Sequence, residues 1–359
     1  MRSVGLGEGV EAKYSFIRGP EEGHARLVVV IPGIGAGRTS PEVVAMGEFL
    51  HGAGYPVVLC DSVFHWESMQ TVNRGILPGN LTEDAKRFGV YLKGILGDVF
   101  EDAGGPEVSV IGWSMGGLSV VHLADLAARD ELPFDVRRFV SINPPVSMEH
   151  ALEPFDSVIA RARGWSTEDA YQMFVRVAPS FYGWAAQDHP RYDPENRPTD
   201  AIGDPWDYAP NLTDEQAQYL LAMTLNRVCP TLIEQRHREH PFPWIKSELT
   251  WFSRREFRRE VGSVMIREYM SRYLPTCYEG VPPADLIATV DIRHLDSTLR
   301  GNERLRMLHT RTDPLQTPDD RDYLDGALGD RMTWFDEGAH CGYFYTTPFR
   351  DELLTRLAE

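Results

Sequence analysis

Apolar residues in the first third of the chain come in short continuous runs, not in alternation. LVVVI at 27–31, YPVVLCD at 55–61, VSVI at 108–111 and RRFVSIN within 137–143 each read as a strand buried on both faces. Between these runs the spacing turns helical. Ser40-Pro41 opens a helix to about Ala53, with serine as N-cap and proline at the first position. Thr82 caps another to about Phe100, and a third follows Ser114. Strand and helix in alternation predict an α/β class with a mostly parallel sheet flanked by helices.

After Asn143-Pro144-Pro145 this rhythm stops. Residues 146 to about 300 read as mainly helical. Thr213 with Gln216 suggests a capping box before AQYLLAMTL, and Phe257, Val261, Met265, Tyr269 and Tyr273 lie four apart on one helical face. Strands resume with RLRMLH at 304–309 and RMTWF at 331–335; Thr317-Pro318 caps the helix between them, and Pro348 opens a terminal one. The expected organisation is a core of residues 1–145 and 301–359, split by a helical insertion at 146–300 before the strand at 304–309.

Composition changes this picture little but excludes partners. A chain of 359 residues that is 42% hydrophobic has enough apolar material for a real core. Its net charge of −17 argues against nucleic acid, which needs a basic face to release counterions, and gives no help in docking to anionic lipid. No apolar run approaches the ~18 residues of a membrane span, so stable insertion is not expected. The start, MRSVGLGEGVEAKYS, holds no apolar core of signal-peptide length. The chain reads as cytoplasmic, although an exported form already trimmed of its leader would look the same. Cys60, Cys229, Cys277 and Cys341 are scattered without a C-x-x-C pair, so no zinc site, and no metal or cofactor, is expected; two disulfides in an exported protein stay open. Oligomeric state is not written in any pattern.

The chemistry begins at VSVIGWSMGGLSV, residues 108–120. Ser114 stands where a strand ends and a helix starts. Gly112 and Gly116, two residues to either side, relieve crowding at a strained corner. The helix directs its first N–H groups at the turn, where negative charge would develop. Alone, this glycine-rich turn equally suits a helix packed close to a sheet, or a phosphate cradle. Catalytic groups in such sheets gather at the carboxyl ends of strands. RLRMLH runs into Thr310-Arg311-Thr312-Asp313-Pro314, and RMTWF into Asp336-Glu337-Gly338-Ala339-His340. Asp313 and His340 therefore fall at the same rim as Ser114. Asp319 and Asp320 rival Asp313, but they sit in a helix's first turn, where acids favour the dipole. His309, His65 and His294 are the competing bases. Cys341 reads as a small packing residue.

This ordered set resembles the α/β-hydrolase superfamily over roughly 10–145 and 300–359. The resemblance implies that Ser114 attacks, His340 shuttles the proton and Asp313 holds the imidazole. It also implies an oxyanion hole of two backbone N–H groups. One is that of Met115; the other comes from Pro32-Gly33-Ile34-Gly35, where many members carry His-Gly, so Gly33 and Ile34 are both candidates. The insertion corresponds to a lid over an acyl pocket. Trp165, Tyr171, Phe174, Phe181, Tyr182 and Trp184 suit either an apolar lining or the insertion's own core. Trp113, His65 and Trp66 are further pocket candidates.

The expected activity is that of a serine hydrolase cleaving small-molecule carboxylic esters through an acyl-enzyme, the aromatic-rich insertion suggesting a medium or bulky apolar acyl or alcohol group. An acyltransferase would share the triad, and peptidase activity stays open. A catalytically silent binding protein is the reading from a different class. Dehalogenases and epoxide hydrolases on this fold use an aspartate at the elbow, which Ser114 argues against.

Overall fold

The computed structural model describes residues 1–7, 9–19, 26–100, 107–148, 150–151, 153, 156–157, 160, 214–344 and 346–359, without the side chains of 214–226. Thr213 and the aromatic residues Trp165 to Trp184 named above lie outside the described residues.

Eight strands form one sheet: β1 Arg2–Gly5, β2 Glu11–Ile17, β3 Arg26–Ile31, β4 Val57–Leu59, β5 Glu107–Trp113, β6 Arg138–Ile142, β7 Leu305–Thr310 and β8 Met332–Phe335. Their spatial order is β1-β2-β4-β3-β5-β6-β7-β8. The five pairings from β4 through β3, β5, β6 and β7 to β8 are parallel. Only β1 with β2 and β2 with β4 are antiparallel. The central strands β3 and β5 are buried along nearly their whole length, as strands covered on both faces must be. Two apolar layers result. One holds Leu27, Val29, Val110 and Phe139 with the helices Leu81–Val99 and Met115–Ala128. The other holds Val28, Val30, Ile111 and Val140 with the helices Pro41–Gly52 and Thr347–Ala358.

The six strands expected from the sequence are all present. The hairpin β1–β2 was not expected. Its strand β2 alternates, with Ala12 and Tyr14 buried between exposed Glu11 and Lys13. That period of two is the mark of an antiparallel strand covered on one face, and Tyr14 donates from its hydroxyl to Asp98 at the end of the helix Leu81–Val99.

Helix starts follow the expected places with local corrections. Ser40 precedes the helix Pro41–Gly52, but its hydroxyl turns back to accept from the Gly37 N–H at 3.0 Å. The N-cap of the helix Leu81–Val99 is Asn80, whose Oδ1 accepts from Glu83 N at 3.3 Å; Thr82 is inside the first turn. Thr317 and Asp320 close a full capping box. The apolar ladder from Phe257 to Tyr273 is not one helix. Arg254–Val261 stops at Gly262, and a new turn starts after Met265, continuing through a π-helical stretch at Tyr269–Tyr273. Phe257, Val261, Tyr269 and Tyr273 are nonetheless buried.

The segment after β6 is joined to the loops at the sheet's carboxyl rim. The Tyr269 hydroxyl donates to Pro78 O at 2.7 Å, and the Leu81 N–H donates to Thr289 Oγ1 at 3.2 Å. Thr289 O meets His122 Nε2 at 2.9 Å. The four cysteines are free thiols. Among the described residues no helix is long and apolar enough to cross a membrane.

Candidate active site

β5 ends at Trp113 and the next helix starts at Met115, so Ser114 alone makes the corner. Its backbone sits at φ 54° and ψ −122°, a region L-residues avoid at a cost of about 1–3 kcal/mol. Such a corner forms only if the neighbouring backbones come very close. A Cβ on Gly116 would overlap the carbonyl oxygens of Ile31 and Pro32, and one on Gly112 would overlap the Gly116 carbonyl. The Ser114 N–H is already used, donating to Ile142 O at 2.8 Å, which ties the corner to β6.

The Ser114 hydroxyl donates to His340 Nε2 at 2.8 Å. His340 Nδ1 lies 2.8 Å from Asp313 Oδ2. A carboxylate can only accept, so Nδ1 carries a proton, and whenever the imidazole is neutral Nε2 presents its lone pair to the serine. Burial disfavours the charged imidazole. The neighbouring Cys341 sulfur and the Asp313 carboxylate outweigh it, and the His340 pKa stands well above its usual value. Burial raises the pKa of the Cys341 thiol as well.

Asp313 is 2% exposed. Burial pushes its pKa up, but the hydrogen bonds and charge from His340, with help from Asn143, bring it below the usual carboxylate value. The Leu315 N–H donates to Oδ1 at 2.9 Å, and Asn143 Nδ2 donates to Oδ2 at 2.7 Å. The Asn143 amide is oriented in turn by the buried Tyr343, whose hydroxyl donates to Asn143 Oδ1 at 2.5 Å. Neither Asn143 nor Tyr343 was singled out in the sequence. The available signal was a polar residue ending the apolar strand β6 at the same rim. Five non-glycine residues among those described have positive φ, and four of them are Ser114, Asn143, Ala339 and Cys341. Backbone strain is thus concentrated where the three side chains meet.

The competing groups are elsewhere. His309 is fully buried in β7, its Nδ1 accepts from Thr310 N at 3.0 Å, and burial lowers its pKa to about 4. His294 is exposed in a short helical turn. His65 caps the helix Trp66–Gln70 and faces Gly37 and Asp61. Asp320 serves the capping box and pairs with Arg293, and Asp319 is exposed beside it.

The loop after β3 lies against the corner. A Cβ on Gly33 would stand 3.4 Å from Ser114 Cβ and from Trp113 Cδ1. The loop is braced by Arg38, which is 4% exposed; its N–H donates to Asp61 Oδ1 at 2.6 Å and its guanidinium to Asp61 Oδ2 and Glu67. Met115 is the first helical residue, so its N–H has no intrahelical acceptor. Beside Ile34 and Met115 opens an apolar cavity of about 90 Å³, walled by Phe64 and Met148 and by Cys229, Tyr269 and Met270 from the inserted segment. Trp113, His65 and Trp66 do not line it. Trp113 is buried behind Gly33, edge-on to Phe344 at 5.5 Å between centroids. Trp66 borders a separate polar cleft with Glu11, Lys13 and Arg74.

No sequence-family model and no curated protein sequence matches the chain. Among solved structures it is similar to Est1E from Butyrivibrio proteoclasticus with ferulic acid bound, at 11% identity and a TM-score of 0.46 over 100% of both chains. It is also similar to the esterase Pf2001 from Pyrococcus furiosus, at 10% identity and a TM-score of 0.46 over 99% of this chain and 90% of that one. The enol-lactonase from Burkholderia xenovorans LB400 is 17% identical with a TM-score of 0.43 over 99% and 100%. The strand order, the strained serine corner after β5 and the loops after β7 and β8 that carry Asp313 and His340 give this chain the α/β-hydrolase fold.

Proposed function

We propose that the protein is a serine hydrolase of carboxylic esters with a short apolar acyl group, working through an acyl-enzyme. The observation that carries this reading is the pair of 2.8 Å contacts linking Ser114 Oγ, His340 and Asp313. His340 Nε2 takes the Ser114 proton as Oγ attacks the ester carbonyl. Asp313 keeps the imidazole in the required tautomer and stabilises the imidazolium. The tetrahedral oxygen gains its negative charge beside the N–H groups of Met115 and Ile34. We assign these as the oxyanion donors, Gly33 being the alternative, and each is worth about 3 kcal/mol in the transition state. The imidazolium then returns its proton to the leaving alcohol. Water, deprotonated by the same Nε2, cleaves the acyl-serine.

The placement of the apolar cavity supports the substrate class. It begins at the two residues assigned as donors, so a carbonyl held there directs its acyl chain into the cavity. About 90 Å³ is the space of about three water molecules, which suits a short chain. Residues 146–300 act in this reading as a cap that supplies the outer wall of the cavity.

Hydrolysis of p-nitrophenyl esters from acetate to decanoate tests the proposal. The expected optimum lies at short acyl chains, and Ser114→Ala should lose at least about 10³-fold in kcat/KM while staying folded. A folded Ser114→Ala protein that hydrolyses these esters at the parent rate would refute it.

A further inference from the structure

The described residues hold one adjacent pair of large apolar side chains that face water almost completely: Trp251 is 85% and Phe252 96% exposed. Their turn is not loose. Ser253 donates from its hydroxyl to Glu248 O, the Thr250 N–H donates to Ser253 Oγ at 3.3 Å, and the Ser253 N–H donates to Thr250 Oγ1 at 3.2 Å. The turn leads directly into the helix Arg254–Val261, with sequence RREFRREV. Phe257 and Val261 of that helix are buried, so it is a fixed mount and the two rings stand at its end.

The same helix concentrates positive charge in a chain whose total is −17. Its arginines divide by face. Arg254 and Arg258 both bond Glu234, whose side chain is 7% exposed. Arg255 and Arg259, one turn apart, are exposed and have no carboxylate partner among the described residues. Their own helix also carries the acids Glu256 and Glu260, and Glu260 is occupied by the N–H groups of Lys246 and Ser247. Charges more than about 8 Å away are largely screened at physiological salt, so a surface touching this turn meets the exposed Lys246, Arg255 and Arg259 with the exposed Glu248 and Glu256, a local excess of positive charge, and not the net charge of the chain.

We propose that Trp251 and Phe252, with Arg255 and Arg259, dock the protein on an anionic phospholipid surface. Aromatic rings favour the headgroup–acyl boundary, and guanidinium groups pair with phosphates there. Exposed rings next to unpaired arginines match that layered chemistry. Each arginine at such a surface raises affinity about fivefold, so the pair accounts for about 25-fold. This docking does not depend on the hydrolase reading.

Cosedimentation of the full-length chain with vesicles tests it, using Ser114→Ala protein so that lipid turnover plays no part. Partition should be at least about tenfold stronger onto phosphatidylcholine vesicles containing phosphatidylglycerol than onto phosphatidylcholine alone, and should weaken as salt is raised. Trp251→Ser/Phe252→Ser should lower partition onto both vesicle types, because it removes the inserted rings. Arg255→Gln/Arg259→Gln should remove most of the anionic preference and leave weak binding to phosphatidylcholine. All four side chains are on the surface, so the variants should keep the melting temperature of the Ser114→Ala protein, and the same substitutions made with Ser114 in place should keep turnover of soluble esters. Absence of partition by the parent, or equal partition by parent and both variants, would overturn the proposal. So would a dimer that disperses in Trp251→Ser/Phe252→Ser while neither protein binds vesicles, since the turn would then be a contact between copies of the chain.

Discussion

Replacing Asn143 by alanine removes its two shortest buried contacts at once, along with the longer ones from Nδ2 to His309 and Thr310. Its Nδ2 donates to Asp313 Oδ2 at 2.7 Å, and its Oδ1 accepts from the Tyr343 hydroxyl at 2.5 Å. A hydrogen bond to a charged group is worth about 1.5–3 kcal/mol net, and a buried hydroxyl left without a partner costs about 1–3 kcal/mol. Tyr343 is 2% exposed and Asn143 fully buried, so water does not readily replace either contact. The expected loss in unfolding free energy is about 3–6 kcal/mol, a large share of the roughly 5–15 kcal/mol of an ordinary domain. Denaturant titration should measure this, and Asn143→Ala/Tyr343→Phe should recover about 1–3 kcal/mol by deleting the stranded hydroxyl. Asp313 would keep Leu315 N and His340, but the carboxylate would be less well fixed. We therefore expect kcat to fall about 10–100-fold with KM nearly unchanged, Asn143 being a positioning residue. A single variant within about 0.5 kcal/mol of the parent, or no recovery in the double variant, would refute this reasoning.

Stability should fall on acidification as two buried histidines resist protonation, partly offset by the buried Asp84 carboxyl, which burial pushes up to about 6. Burial lowers the pKa values of His122 and His309 to about 4, so between pH 6.5 and 4 the unfolded chain takes up protons that the folded chain refuses. Each histidine then removes up to about 3 kcal/mol as pH approaches 4, and a denaturation midpoint constant from pH 7 to 4.5 would contradict this. The raised pKa of His340 places the acid limb of kcat/KM above pH 6.5, because the imidazolium cannot accept the serine proton. Asp313→Asn should move that limb to lower pH, and an unmoved limb would argue against the pairing. Val290→Phe extends a ring into the cavity, so butyrate ester turnover should fall about tenfold or more while acetate turnover and melting temperature hold; equal losses on both esters would count against the acyl assignment.

The sequence displays what depends on local spacing. The strands β3 to β6 are legible because burial on both faces demands a continuous apolar run, and the corner at Ser114 is legible because only glycine fits at 112 and 116. Asp313 and His340 follow once β7 and β8 are placed, since a parallel sheet brings all its strand ends to one rim. Alternation marks β2 as well, but Ala12 and Tyr14 are few and lie beside polar neighbours. Contacts between distant segments leave no such mark. Asn143 reaches Asp313 across 170 positions, and Arg38 reaches Asp61 across 23. Both depend on neighbouring strands aligning in a register that no single segment specifies. Gly262 likewise breaks an apolar ladder whose four-residue spacing alone describes one continuous helix.

The nucleophilic character of Ser114 is tested most directly by mass spectrometry of the intact chain after brief exposure to a fluorophosphonate. One adduct should form and map to the peptide holding Ser114; Ser114→Ala should take none, and His340→Ala should react far more slowly because no base is left to accept the proton. An unlabelled parent protein, an adduct on another residue, or a His340→Ala protein labelled as fast as the parent would contradict the account.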